Sequence, residues 1–563
     1  MVCIIDVEAR ISTLRVVQKY LCDLSRNSST YGINNHGVLD SSTKQRNESK
    51  SMSMFLAFLK TVVVRRIKIL INTKDASFVV TSKDLLSEGQ GSMEIRDPPT
   101  EAQEKIITSL AKVVLHQINA VKTMTQISEG QDNLLLSLFV KKISVELYPE
   151  PLTLITKEIC TLNIQERILS ILKASRPIEV QQTFNKFETF NTYLFCCLED
   201  LDTSGCAALM EEFDKIDLEH ENNSTSDIDD RTLNNDVLTV GDSQLPVSKQ
   251  FSELTKATFL PSKKFDNLWE SLHFDSAIKQ KMYSYATISL KLSKLLDNSN
   301  SFSVQNILVN NKLLIVHGPP GTGKTTLCKA LCQKLSLRRE QQFLEDRSKN
   351  NYQGLIIEII CSKIFTRWFG ESPKNVNQLF IDVEKLLEIN EHKGSFICIL
   401  IDEVEAIAGS RKDLMSKNES SDSMRVVNTL LTCLDRLKKY KNFLILATSN
   451  NLDALDPAFI DRSDGTFYVG NPSEQAIIKI LSETISTLID SQIICSKRYD
   501  NQILKNPQYV TLLKAIAKSC FEAGVSGRIL RKLPLLCLSE HFQTLPVEIN
   551  HFLVGLATTI MSL

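Results

Sequence analysis

The stretch LLIVHGPPGTGKTT, residues 313–326, sets four apolar side chains (Leu313, Leu314, Ile315, Val316) ahead of a turn rich in glycine and proline. A helix-forming run, TLCKALCQKL, continues directly from it. Strand, G-x-x-x-x-G-K-T and helix, in that order, are the context a phosphate-binding loop requires. Gly318, Gly321 and Gly323 let the backbone curl its N–H groups inward around the β- and γ-phosphates, and Pro319, Pro320, Thr322 and Thr326 complete the loop. The following helix aims its positive end at the same anion. Lys324 supplies a point charge to the phosphates, and the Thr325 hydroxyl can ligate Mg²⁺. The segment implies a chain that binds a nucleoside triphosphate.

Downstream, Leu355–Ile360 (LIIEII) reads as a second buried strand. Phe396–Ile401 (FICILI) reads as a third, ending in Asp402–Glu403, 78 positions after Lys324, which leaves room for one intervening strand–helix unit and an insert. At a strand's carboxyl end Asp402 would hold Mg²⁺ through water, and Glu403 would polarise the attacking water as general base. Phe443–Ala447 (FLILA) is a further strand ending in TSNN, placed between the two preceding strand ends. Asn450 is the favoured side chain to touch the γ-phosphate or the attacking water, with Thr448 and Ser449 behind it. Arg462 follows in a polar turn after a short helix. It is either a solvated surface arginine or one presented to a neighbouring subunit's γ-phosphate. From Ser473 onward helices take over, and GVSGRILRKLPLL (Gly524–Leu536) presents Arg528 in a first turn, where a cation is locally unfavourable and an anionic partner would explain it. Arg531 and Lys532 are alternatives on the same helix.

Between the second strand and its helix lies SKIFTRWFGESPKNV, where Trp368, Phe369 and Gly370 put two large apolar side chains beside a flexible residue. They either grip a polypeptide or tuck into the core. In the lead-in LPSKKFDNLWESLHFDSAI (Leu260–Ile278), Trp269, Leu272 and Phe274 pack beside an adenine ring or in the core, the core being the commoner fate of such aromatics.

The first half carries no catalytic motif and reads most simply as a binding or assembly domain. Val2–Ile11 is β-like and Leu14–Leu24 helical, with Leu14, Val17 and Leu21 on one stripe. Ser25–Ser53 is Ser/Asn-rich, a loop or disordered insert. Phe55 to Leu86 returns to β-like character, with FVVTS a strand. Phe55–Ile71 (FLAFLKTVVVRRIKILI), broken by Lys60, Arg65, Arg66 and Lys68, is a buried strand or helix rather than a membrane span, which needs about 20 mostly apolar residues. Helical patterns run from Thr100 to Thr123 and through the 160s to Leu201. His220–Val237 is a second polar, flexible tract.

The chain has 563 residues, 43 % of them hydrophobic, enough for three or four domains with real cores. A formal net charge of −1 gives no global basic field for nucleic acid. The fourteen cysteines form no C-x-x-C pair, and with no secretory signal a reduced intracellular compartment and a soluble protein are expected. The histidines offer no metal-ligand pattern, so no structural zinc is expected.

Together HGPPGTGKTTLCKALCQKL, SKIFTRWFGES, LIDEVEAIAGSR, MRVVNTLLTCLDRLK, LATSNNLDALDPAFIDRSD and GVSGRILRKLP resemble the AAA+ family and, within it, the pachytene checkpoint protein 2 family, whose animal members are called thyroid receptor-interacting protein 13. The resemblance covers roughly residues 258–540. It implies an α/β AAA+ module, a parallel sheet flanked by helices, at 246–472, a small helical lid at 473–563, and an N-terminal α+β domain at 1–245 that recognises substrate or adaptor. By the same resemblance Lys324 and Thr325 form Walker A, Asp402 and Glu403 Walker B, Asn450 sensor 1, Arg462 the trans-acting arginine finger and Arg528 sensor 2. Trp368, Phe369 and Gly370 match the substrate-gripping pore loop. The implied cofactors are ATP and Mg²⁺.

The implied activity is that of a homohexameric remodeller that pulls on HORMA-domain proteins, alone or through an adaptor, and converts the closed, partner-bound form to the open one. In meiosis the client is the chromosome-axis HORMA protein; in mitotic cells it is the spindle-checkpoint one. The implied setting is the nucleus, at chromosomes indirectly or in the nucleolus, with no membrane. The long, divergent N-terminal half fits a fungal meiotic member better than an animal one. Two alternatives compete: another AAA+ unfoldase or severing enzyme, and a scaffold that ATP assembles without hydrolysis.

Overall fold

The opening run VCIIDVEA alternates along β1 (Val2–Ala9): Cys3, Ile5, Val7 and Ala9 face the core, while Asp6 and Glu8 point to the opposite side. The computed structural model describes residues 2–27, 41–71, 78–81, 99–120, 135–148, 189–197, 237–240, 243–246, 249–274, 277–298, 311–338, 354–364, 371–393, 395–410, 421–495 and 507–561. These fall into two compact units. Residues 1–226 and 337–351 form one, and 227–336 with 352–563 the other.

In the first unit β1 is followed by α1 (Ile11–Asn27), α2 (Ser41–Ile71), β2 (Phe78–Thr81), α3 (Glu101–Ala120), β3 (Val140–Tyr148) and β4 (Thr189–Phe195). The strands form one sheet in the order β2-β3-β1-β4, with β3 antiparallel to its neighbours and β4 parallel to β1. Leu14, Val17 and Leu21 of α1 lie in its core, as their spacing predicts. Three expectations are corrected. Phe55–Ile71 is helix rather than β-like: Phe55, Leu59, Val62, Val63 and Ile67 recur at helical spacing and are fully buried, which outweighs the β-branched content. The same helix begins at Ser41, so the second part of the polar stretch 25–53 is helical; residues 28–40 lie outside the described set. Residues 189–195, expected as helix, form β4, because TFNTYLF is rich in aromatic and β-branched residues and pairs with Val2 through Glu8 of β1. The polar tract at 220–236 lies outside the described residues.

One buried charge cluster belongs to this unit. Arg338 donates from Nε to Asp6 Oδ1 at 2.9 Å, from Nη2 to Asp6 Oδ2 at 2.8 Å and from Nη2 to Glu146 Oε2 at 2.7 Å. Guanidinium and carboxylates are nearly devoid of solvent.

The second unit runs β5 (Val237–Val240), β6 (Ser243–Pro246), α4 (Lys249–Leu254), β7 (Thr255–Leu260), α5 (Ile278–Asn298), β8 (Leu313–His317), α6 (Lys324–Leu337), β9 (Gly354–Ile359), α7 (Glu371–Lys393), β10 (Phe396–Ile401), α8 (Ser421–Leu437), β11 (Phe443–Ser449), α9 (Pro457–Ile460) and β12 (Gly465–Tyr468). Its six-stranded sheet has the order β12-β8-β11-β10-β9-β7. All pairs are parallel except β7 with β9. Every residue of β10 is buried, as expected of a strand covered on both faces. Because β11 lies between β8 and β10, the carboxyl ends of those three strands meet. The edge strand β7 has no counterpart in the sequence reading.

The lid follows as α10 (Glu474–Asp490), β13 (Ile494–Cys495), α11 (Pro507–Glu522), α12 (Gly527–His541), β14 (Val547–Glu548) and α13 (Ile549–Met561). Ile477, Leu481, Leu513, Leu530, Leu533, Phe552 and Leu556 share its core. No helix among the described residues is long and apolar enough to cross a membrane.

Candidate active site

A cleft of about 360 Å³ opens where β8, β10 and β11 end. Its floor is the loop between β8 and α6. Gly318, Gly321 and Gly323 there have φ of +147°, +79° and +93°, a range in which a side chain is strained. At Gly318 a Cβ would also lie 2.0 Å from the Val469 carbonyl oxygen, so that position admits nothing larger. Pro320, Gly321, Thr322, Gly323, Lys324, Thr325 and Thr326 line the cleft. The buried Lys324 ammonium donates to the carbonyls of Gly318 and Pro319, both at 2.8 Å, and to Asn450 Oδ1 at 2.9 Å. Burial pushes this ammonium below the ordinary lysine value, against the pull of Glu405, Asp402 and Glu403.

The strand ends bring the acidic groups to the loop. Thr325 donates to Asp402 Oδ1 at 2.7 Å, and Thr448 donates to the same oxygen. Thr448 Oγ1 in turn accepts the backbone N–H of Glu403 at 3.1 Å. Glu403 itself sits in the left-handed backbone region, φ +53°, with its side chain exposed at the cleft. A hydroxyl and a carboxylate oxygen this close are hard donors suited to Mg²⁺, which at such a site polarises phosphate oxygens. Sequence reasoning placed Thr448 only behind Asn450. Its hydroxyl is in fact the joint between Asp402 and Glu403. Glu405, which the sequence reading passed over, accepts from Asn450 on both its N–H and its Nδ2, at 3.1 Å each.

The lid closes the third side. Arg528 and Arg531 of α12 line the cleft, and the Arg528 N–H donates to the Gly321 carbonyl at 3.0 Å. Of the two, Arg531 reaches Ser271, with Nη2 donating to its carbonyl at 3.4 Å and to Oγ at 3.3 Å. Ser271, Leu272, His273 and Phe274 form the opposite wall, so Leu272 and Phe274 serve both the cleft and the core, whereas Trp269 is core. His273 Nε2 meets Glu483 Oε1 of α10 at 2.9 Å.

Arg462 stands apart from this cleft. Its Nε lies 3.2 Å from both oxygens of Asp435, Nη2 donates to Oδ2 at 2.8 Å, and Nη1 donates to the Ala458 carbonyl at 2.9 Å. The hydrogen bond from Arg462 holds the Asp435 carboxyl below its ordinary value. Asp435 ends α8, where the helix dipole disfavours an anion, so its basic partners Arg462 and Lys438 offset an otherwise poor position. Trp368, Phe369 and Gly370 lie outside the described residues.

Residues 314–471 match the ATPase family associated with various cellular activities (AAA), and residues 473–562 match the TRIP13-like, AAA+ ATPase lid C-terminal domain. Pachytene checkpoint protein 2 of Saccharomyces cerevisiae is 47% identical over 567 residues, spanning 100% of this chain and 99% of its own length. The chain belongs to the pachytene checkpoint protein 2 family. The Homo sapiens pachytene checkpoint protein 2 homolog is 36% identical over 314 residues, 54% of this chain and 68% of its own. The structure of C. elegans PCH-2 covers 76% of this chain and 86% of its own, with 24% identity and a TM-score of 0.47. As a member of this family with an AAA module and its lid, the chain is an ATP-hydrolysing enzyme, which removes the non-hydrolysing scaffold from consideration.

Proposed function

We propose that the chain acts as a ring of six identical subunits that couples ATP hydrolysis to opening closed, partner-bound HORMA-domain proteins. The setting is nuclear: meiotic chromosome axes and the recombination checkpoint, and the spindle checkpoint where the client is the mitotic HORMA protein. Family membership supports the client class. The observation that carries the ring is Arg462, which is braced on Asp435 away from its own cleft and so reads as a group offered to a neighbour.

In this reading the loop N–H groups and Lys324 hold the β- and γ-phosphates, and Thr325 with Asp402 holds Mg²⁺. Glu403 accepts a proton from the attacking water, and Asn450 orients that water or the γ-phosphate. Arg462 of the adjacent subunit and Arg528 of the lid offset charge developing in the transition state. Lid rotation then moves the pore loop of Trp368, Phe369 and Gly370 along the ring axis, whose grip rests on the family resemblance.

The test is ATP turnover by the purified chain with and without a panel of HORMA-domain proteins bound to their closure peptides. Stimulation by one of them, with peptide release lost in Glu403→Gln, is expected. Turnover per chain is also expected to rise with protein concentration and to be lost in Arg462→Ala. Robust turnover indifferent to every HORMA protein would overturn the client class, and Arg462→Ala at full rate would overturn the trans-acting arginine.

A further inference from the structure

Three carboxylates follow one another at the end of β10, and two of them, Asp402 and Glu403, have assigned roles. The third, Glu405, lies in the tight turn Val404–Ala406. Its Oε1 takes two hydrogen bonds from one residue, the backbone N–H and the side-chain Nδ2 of Asn450, each at 3.1 Å. Its Oε2 is buried without a hydrogen-bond partner among the described residues. A buried carboxylate oxygen left unpaired is unfavourable, and a neutral amide would tie β11 to this turn at lower cost. Something other than fold stability therefore favours the carboxylate.

What a carboxylate does that an amide does not is accept only. The edge of the Asn450 amide that faces Glu405 must be its nitrogen. Its oxygen edge is then turned to Lys324, whose Nζ it meets at 2.9 Å. A residue free to flip would present nitrogen and oxygen interchangeably at the cleft.

We propose that Glu405 is the positioning residue for Asn450: it locks the amide so that Oδ1 faces the cleft and accepts an O–H of the attacking water. The proposal rests on the reading of Asn450 as the group that orients that water, and narrows it to an acceptor.

The experiment compares full-length Glu405→Ala, Glu405→Gln, Asn450→Ala and the double Glu405→Ala/Asn450→Ala. It measures kcat and KM for ATP, together with the affinity for a fluorescent ATP analogue, which also reports that each variant is folded. Expected is a fall in kcat of about tenfold for Glu405→Ala, the worth of one charge-assisted hydrogen bond in the transition state, with KM moving less than about twofold. Glu405→Gln, whose amide can turn a donor as well as an acceptor toward Asn450, is expected to recover only a small part of the loss. The double variant should turn over no more slowly than Asn450→Ala, because the two groups act as one. A normal kcat in Glu405→Ala beside an impaired Asn450→Ala overturns the proposal while leaving Asn450's role standing. Multiplying losses in the double variant overturn it too, as does a rise in KM in place of a fall in kcat. A normal rate in Asn450→Ala would remove the underlying reading and this proposal with it.

Discussion

Thr448→Val tests the joint between Asp402 and Glu403. The side chain is fully buried and valine matches its shape, so the substitution removes a hydroxyl and little else. Two hydrogen bonds go with it, one donated to the Asp402 carboxylate and one accepted from the Glu403 N–H at 3.1 Å. A hydrogen bond to a charged group contributes about 1.5–3 kcal/mol, and an orphaned N–H costs about 1–3 kcal/mol when water cannot reach it. Here Glu403 borders an open cleft, so water recovers part of the second amount. Asp402 also keeps its bond from Thr325 at 2.7 Å. The expected loss is therefore about 2 kcal/mol, or a fall in Tm of roughly 3 °C for the unit made of residues 227–336 and 352–563. Catalysis should suffer more than stability. Among the described residues no other side chain links Asp402 to the Glu403 backbone, and a misplacement of about 1 Å can cost about a hundredfold in rate. Steady-state turnover should fall about 10- to 100-fold while nucleotide affinity stays within about threefold, since Lys324 and the loop are untouched. Thr448→Ser, which keeps the hydroxyl, should restore most of both. A Thr448→Val protein that melts and turns over like the parent would refute the argument.

Gly318→Ala should abolish nucleotide binding, because its Cβ would lie 2.0 Å from a backbone carbonyl at φ +147°; Gly524→Ala, at φ +64° with nothing within 4 Å, should cost only about 1 kcal/mol in a thermal melt. Arg338→Ala leaves Asp6 and Glu146 buried without their guanidinium and should destabilise the first unit by about 3–5 kcal/mol, measurable by denaturant unfolding. Burial holds His317 below the ordinary 6.5, so the unfolded chain takes up the proton first as pH falls. Its neutral ring makes no difference to stability above 6.5, and the folded state loses ground from there down to the lowered native value. His317→Asn should flatten that part of the stability–pH curve between pH 7 and 5, and an unchanged slope would count against it.

Where one face of an element is buried and local chemistry is strict, the sequence was readable. The glycines at 318, 321 and 323 are required by positive φ, and FICILI could only be a doubly covered strand. The place of β11 between β8 and β10 followed from the phosphate loop itself. Residues joined by side-chain contact across long separations were less legible. Thr448 and Glu405 look like ordinary polar residues until the sheet puts them beside Asp402 and Asn450. Asp435 is a helix-end aspartate like many others until Arg462 reaches it from 27 positions away. In the first half, Phe55–Ile71 misled because its β-branched content and its helical spacing disagree, and spacing prevailed once a sheet was there to pack against. TFNTYLF misled in the opposite sense, since its pairing partner lies at the start of the chain.

The left-handed backbone at Glu403 bears on how this enzyme can be engineered. A non-glycine residue held at φ +53° costs about 1–3 kcal/mol, which glycine would not incur. Glu403→Gly should therefore raise the melting temperature while ending hydrolysis. A selection for thermal robustness or soluble yield alone would be drawn toward that substitution and deliver a sturdier, inert protein. Any stabilisation campaign on this chain has to exclude position 403 or score turnover alongside melting, because here durability and chemistry pull in opposite directions.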